Sequence, residues 1–218
     1  MKDSRQTKTL TDYRIEAKKI CDLYASKLAI VYLIYFAIIS GIVIIEYFLF
    51  GENPIFSYDI NIIDTSSLSK SFISLILSGP FAFSLTYITK NVYKGTEPKI
   101  KDLFIGFKQF FRTLVIYILE LVFIMLWGIL FIVPGFIKMF AYSMSYFVAI
   151  DNPNLSAREC IKESQRIMYG HKEELFSLLL NYIGWIFLSL LTFGILFLWV
   201  APRIQQTVHL FYLEVSKS

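Results

Sequence analysis

The 218-residue chain is 56% hydrophobic, holds 21 Phe and 14 Tyr, and carries a formal net charge of +4. Its mean hydropathy of +0.58 is too high for a soluble domain of this size, because burying its apolar runs in a water-compatible core would need far more chain. Its two cysteines, Cys21 and Cys160, have no partner at metal-ligand spacing and imply no disulfide framework.

Residues 1–27 gather Lys2, Arg5, Lys8, Arg14, Lys18, Lys19 and Lys27 around a stripe of Leu10, Tyr13, Ala17, Ile20, Cys21 and Tyr24. This predicts an amphipathic helix on the membrane surface, its charge favouring anionic lipid at the cytoplasmic face. The apolar run 28–50 follows with no small-residue cleavage site behind it, so it is read as a retained span. A loop with Glu52, Asp59, Asp64 and Lys70 leads to a second span, 71–93. Two further runs, 110–133 and 174–200, also approach or exceed the length needed to cross a hydrocarbon core.

Each of the stretches opened by Pro80, Pro134 and Pro202 reads as a new helix after a tight turn, since proline suits a first helical turn. The expectation is an all-α, polytopic membrane bundle of about six transmembrane helices in three hairpins, 28–93, 110–150 and 174–215. The fourth and sixth spans, 135–150 and 202–215, are short. Sixteen residues reach only about 24 Å, so these segments cross fully, lie inside the bundle, or are re-entrant. The segments GFKQFFRTL and GHKEELFSL, at 106–114 and 170–178, share Gly, Lys and Leu at matching offsets and suggest an internal repeat. Lys70, Lys138 and Arg203 fall on one side of this layout and the other eighteen of the 21 Lys and Arg on the opposite side. The bias puts both termini in the cytoplasm.

Between the second and third hairpins, 154–170 departs from the oily pattern. Ser156 and Glu159 form an S-x-x-E capping box. Ala157, Cys160, Ile161, Ser164, Ile167 and Met168 share one helical face, while Arg158, Glu159, Lys162, Glu163, Gln165 and Arg166 occupy the rest. The spacing predicts Glu159–Lys162 and Glu163–Arg166 pairs and a helix end at Gly170. Such a helix cannot span; it lies along the cytoplasmic surface, its apolar face on headgroups or on the bundle. It is a connector, a lipid-sensing element, or a docking helix presenting Arg158, Lys162 and Arg166 to a cytoplasmic protein partner.

No zinc, P-loop, nucleophile-elbow or Cys-x-x-Cys motif occurs. No catalytic residue, metal ligand, cofactor or nucleic-acid partner is expected, and His171 reads as a solvated residue at a helix start. Tyr142, Tyr146 and Tyr212 read as packing or interfacial anchors. Glu46 and Lys138 lie near span ends and can snorkel. Glu120, ten residues into the third span, is the clearest ionisable group at membrane depth, where charge is costly. Glu120, Asn181, Gln205, Gln206 and His209 form the candidate intramembrane polar site, either lining a solute path or bonding helix to helix.

The chain resembles a bacterial integral membrane family, the domain of unknown function 975. The likeness rests on Gly79-Pro80, Leu103-Phe104, Gly106-Phe107-Lys108, Leu126-Trp127 and Ile132-Val133-Pro134-Gly135. It continues through Tyr142-Ser143-Met144, Asp151-Asn152-Pro153, Leu155-Ser156-Ala157, Ser164, Met168, Gly170 and Lys172. Ile183-Gly184-Trp185, Leu191-Thr192-Phe193-Gly194 and Phe211-Tyr212 complete it. It runs from about residue 75 to the C-terminus; Arg203 after Pro202 departs from it. The resemblance implies a multi-span membrane protein without an assigned activity, and a distant similarity to membrane regions attached to some glycerophosphodiester phosphodiesterases. The leading expectation is a non-enzymatic component of the cytoplasmic membrane, transport-associated or membrane-organising. The alternatives are a transporter or channel using Glu120, and an intramembrane enzyme acting on lipids.

Overall fold

The computed structural model describes residues 9–50 and 72–217. The loop carrying Glu52, Asp59, Asp64 and Lys70, and the N-terminal Lys2, Arg5 and Lys8, lie outside the described residues. All regular structure among the described residues is helical. In chain order the helices are α1 (Leu10–Asp22), α2 (Ala25–Phe50), α3 (Phe72–Tyr93), a 3₁₀ segment (Ile100–Gln109), α4 (Phe110–Leu130) and α5 (Ile132–Tyr142). They continue as α6 (Ser145–Asp151), α7 (Ala157–Ile167), α8 (Lys172–Leu180), α9 (Ile183–Leu191) and α10 (Phe197–Val215).

Four stretches are long and apolar enough to cross a membrane: Ala25–Glu46, Ile100–Leu130, Val133–Asp151 and Lys172–Leu191. Their outer surfaces fit that reading: Ile129 is 86% exposed and Phe111 80%, which water would not tolerate over so wide an apolar surface. The expected spans 71–93 and 202–215 are not among the four. Helix α3 turns Ser84, Thr86, Thr89 and Lys90 inward as buried polar groups. Helix α10 lies along the charged α1 and mixes polar ties with core packing: Tyr13 donates to Glu214 Oε2 at 2.5 Å and Arg203 to Asp22 Oδ1 at 2.8 Å, while Val208, Leu210, Phe211 and Val215 are buried in the core.

Prolines turn the chain less often than their positions suggest. Pro134 does sit in the first turn of α5, but Pro80 and Pro202 are inside α3 and α10. A helix packed against neighbours keeps an interior proline because surrounding groups satisfy the freed backbone. The last hairpin reverses earlier, at Phe193 (φ 50°) and Gly194 (φ 82°), two left-handed residues in succession. The fifth expected span therefore ends at Leu191 and its return starts at Phe197. The fifth is also interrupted at Asn181–Tyr182, and the fourth at Ser143–Met144.

The close packing gathers towards the charged end. One core joins Tyr13 and Ala17 of α1 to Met144, Phe147 and Val148, to Cys160 and Ile161, to Leu175 and Leu178, and to Phe211 of α10. A second joins Cys21, Leu28, Val31 and Tyr32 to Leu85, Ile88 and Leu103. The apolar face of α1 thus rests on protein. Close backbone approach ties α3 to the next segment: a Cβ on Gly106 would meet the Pro80 carbonyl oxygen at 2.0 Å. Gly106 N–H donates to Ser84 Oγ at 2.9 Å, and that hydroxyl donates to Pro80 O at 2.9 Å. Small residues permit such contacts between membrane helices.

The suggested repeat does not extend to conformation. Gly106 lies in a close contact, whereas Gly170 has φ 85° and open space around it. Helix α4 is continuous where its counterpart is broken into α8 and α9.

Candidate functional site

Helix α7 forms where its sequence predicts, but of its two expected pairs only Glu163–Arg166 closes, because Glu159 turns back to cap Ser156. Ser156 is extended (φ −66°, ψ 161°) and accepts from the Glu159 N–H at 3.4 Å, while Glu159 Oε2 accepts from the Ser156 N–H and hydroxyl, each at 2.7 Å. These bonds favour the carboxylate and hold Glu159 below the usual carboxyl range. Ala157, Cys160, Ile161, Ser164 and Ile167 are buried against the bundle. Ser164 fastens the helix: its hydroxyl donates to Ala141 O at 2.8 Å and accepts from the Met144 N–H at 3.1 Å. Both partners lie at the α5–α6 junction, inside a candidate span. Arg112 reaches the start of α7 from α4, donating to Asn152 O at 2.7 Å and to Cys160 Sγ at 3.4 Å.

On the outer face Arg158, Lys162 and Arg166 are exposed. Arg166 is held by Glu163 through bonds of 2.9 and 2.6 Å. Among the described residues, no carboxylate stands at ion-pair distance from Arg158 or Lys162. The row is therefore held rigidly by its buried side and retains charge on its outer side.

The five residues of the expected polar site do not converge. Gln206 and His209 meet at 3.3 Å (Nε2 to Nδ1), both buried. The His209 ring stacks on Phe147 (centroids 5.4 Å, 9° between planes) and takes Tyr93 edge-on at 5.1 Å. Gln205 is half-buried, and the exposed Asn181 bonds back to Ser177 O at 3.1 Å. Glu120 faces α6, within hydrogen-bonding reach of Ser145. Its Oε1 has no partner among the described residues. No hydrogen bond or ion pair links Glu120 or Asn181 to the Gln206–His209 pair.

Beside that pair lies a cluster that local reading of the chain misses. Lys90, 5% exposed, pairs with Asp151 Oδ1. Tyr212 donates to Asp151 Oδ2 at 2.8 Å and stacks on Phe147 at 5.1 Å. One carboxylate thus joins α3, α6 and α10 immediately before the turn into α7. Asp151 and Tyr212 are among the residues carrying the family likeness, which is the one signal in the sequence that marks them.

The structure also revises the charge layout. Arg203 and Lys138, expected on the side opposite the basic segments, join them. Arg203 pairs with Asp22 of α1, and Lys138 shares a cavity with Lys162, Arg166 and Lys172. At the same end Lys27 pairs with Glu97, and Tyr24 donates to Gly95 O at 2.7 Å. Of the three exceptions to the charge bias, only Lys70 is left, outside the described residues.

Residues 131–218 match the model of a family described as a protein of unknown function (DUF975). The match is shorter than the resemblance from residue 75 suggests, leaving Gly79-Pro80 and Gly106-Phe107-Lys108 outside it. No curated protein and no solved structure matches the chain.

Proposed function

We propose, from the match of residues 131–218 to the DUF975 family model, that this chain is a member of that family and a non-enzymatic, multi-pass protein of the bacterial cytoplasmic membrane. It acts as a transport-associated or membrane-organising component, with both termini and α7 in the cytoplasm and with α7 docking a soluble protein. The observation that carries this reading is the Ser164 clasp. It joins an outward basic row to a candidate span, so force or displacement at Arg158, Lys162 and Arg166 passes into the α5–α6 junction. The bias of Lys and Arg to one end supports the orientation.

Reversing charge at Arg158, Lys162 and Arg166 tests the docking role. The expected result is loss of a cytoplasmic protein that co-purifies with the parent, with membrane insertion unchanged. Unchanged co-purification makes α7 a connector only. Orientation has its own test, in a background lacking Cys21 and Cys160. Single thiols introduced at Asp59 and at Pro98 should react with an impermeant reagent from opposite faces, and labelling of both from one face of intact cells refutes the layout.

A second reading, a transporter using Glu120, is favoured by the unpartnered Glu120 oxygen between α4 and α6. Any flux in proteoliposomes that survives Glu120→Gln with its pH dependence unaltered sinks it.

A further inference from the structure

Lys138 is the only Lys or Arg in the apolar run 133–151, an expensive place for an ammonium group. Its Nζ lies 5.0 Å from the Trp127 ring centroid and 6.0 Å from that of Tyr142, a cation–π setting. It lines a cavity of about 620 Å³ walled by Lys162, Gln165, Arg166, Tyr169 and Lys172. Four cations from α5, α7 and the start of α8 therefore face one opening. Glu163 engages Arg166. Among the described residues no carboxylate is at ion-pair distance from Lys138, Lys162 or Lys172. Like charges gathered around a concavity, three of the four without a carboxylate at ion-pair distance, attract an anion into it.

The neighbouring surface indicates which anion. One residue along α5, Met139 joins Phe136, Ile124, Gly128 and Gly135 around an apolar cavity of about 210 Å³. Phe136, Ile137 and Met139 are exposed. A basic cavity and an apolar groove thus share one turn of helix, a combination that a free phosphate ion would leave half unused.

We propose that this is a binding site for an anionic phospholipid. Its phosphate sits among Lys138, Lys162, Arg166 and Lys172, and an acyl chain lies along Ile124, Phe136 and Met139. The lipid engages the side of α7 next to α5. Arg158 belongs only to the proposed docking row, whereas Lys138 and Lys172 belong only to the lipid site.

Trp127, beside Lys138, supplies the readout. With Trp185→Phe and Trp199→Phe it is the sole tryptophan, and the full chain is reconstituted in phosphatidylcholine. Phosphatidylglycerol brominated on its acyl chains should quench Trp127 at a much lower mole fraction than brominated phosphatidylcholine. Lys138→Gln with Lys172→Gln should weaken that preference about tenfold or more. Lys101→Gln with Lys108→Gln, which removes equal charge elsewhere, should leave it intact. Equal quenching by the two lipids in the parent overturns the proposal, as does equal weakening by the two lysine pairs. Millimolar inorganic phosphate should leave the preference in place; abolition by phosphate alone would mark a small-anion site and overturn the lipid assignment. Arg158→Glu should not alter the quenching, so the docking and lipid readings fail separately.

Discussion

Gly106 stands so near Pro80 that a methyl group in place of its hydrogen would lie 2.0 Å from the Pro80 carbonyl oxygen. Backbone blocks this contact, so no side-chain rotation relieves it. Gly106→Ala should lower stability by about 3 kcal/mol or more. Gly41, where an added methyl group would meet nothing within 4 Å, is the control: Gly41→Ala should be neutral or stabilise by up to about 1 kcal/mol. Thermal unfolding in detergent compares the two.

Removing one member of the Lys90–Asp151–Tyr212 cluster leaves another without its partner. Asp151→Asn strands the buried Lys90 ammonium and should cost about 3 kcal/mol. Tyr212→Phe removes one bond to a charged acceptor and should cost about 1–2 kcal/mol. Lys90→Met combined with Asp151→Leu should regain most of the loss seen in Asp151→Asn. A double variant less stable than the single one would show that the pair is not coupled as its geometry indicates.

Ser164→Ala leaves two buried backbone groups at the α5–α6 junction short of a partner, for a cost of about 2 kcal/mol. The diagnostic effect is local. Hydrogen exchange should quicken across α7 and the junction while α2 retains its protection. Uniform acceleration along the chain would make Ser164 a general core residue and not a clasp.

Burial pushes the Cys21 thiol up to about 12. At pH 8 roughly one molecule in ten thousand then carries the thiolate that attacks an alkylating reagent. Native Cys21 should stay unmodified by iodoacetamide at that pH and react fully once the protein is unfolded. The thiol is neutral in both states at low pH, while above the ordinary thiol range the unfolded chain ionises first. Its contribution therefore reduces stability as pH rises beyond about 8.5. Rapid labelling of folded protein would refute the burial of Cys21.

Acid should act on α7 in the opposite sense. Glu159 and Glu163 are held below the usual carboxyl range, by Ser156 and by Arg166 respectively. A lowered folded-state value means that their support is fully present above the ordinary carboxyl pKa and is lost as pH falls through the folded value. Backbone carbon shifts of α7 should show its first turn loosening in acid, and Glu159→Gln should weaken that turn already at neutral pH.

Helix α7 was legible because its determinants are local: a capping box, a helical stripe and a charge pair, all within three or four residues. Four of the six expected apolar spans were legible for the same reason. Proline misled because Pro80 and Pro202 mark turns only where nothing else satisfies the helix, and both lie in helices with close neighbours. The last reversal was encoded by Gly194, an inconspicuous glycine in the middle of a greasy run. The Lys90–Asp151 pair joins residues 61 apart, a separation that periodicity does not reach. The polar-site residues were grouped by chemistry, and only Gln206 and His209, three apart on one helix, are kept together by the fold.

Phe193, 98% exposed at the apex of its left-handed reversal, belongs to neither of the cores that join the helices. The chain thus divides into an end that grips itself and tips that grip their surroundings. Amphiphiles of different chain length should therefore alter order at the tips while the knitted end melts at an almost constant temperature, giving the molecule two independent thermometers.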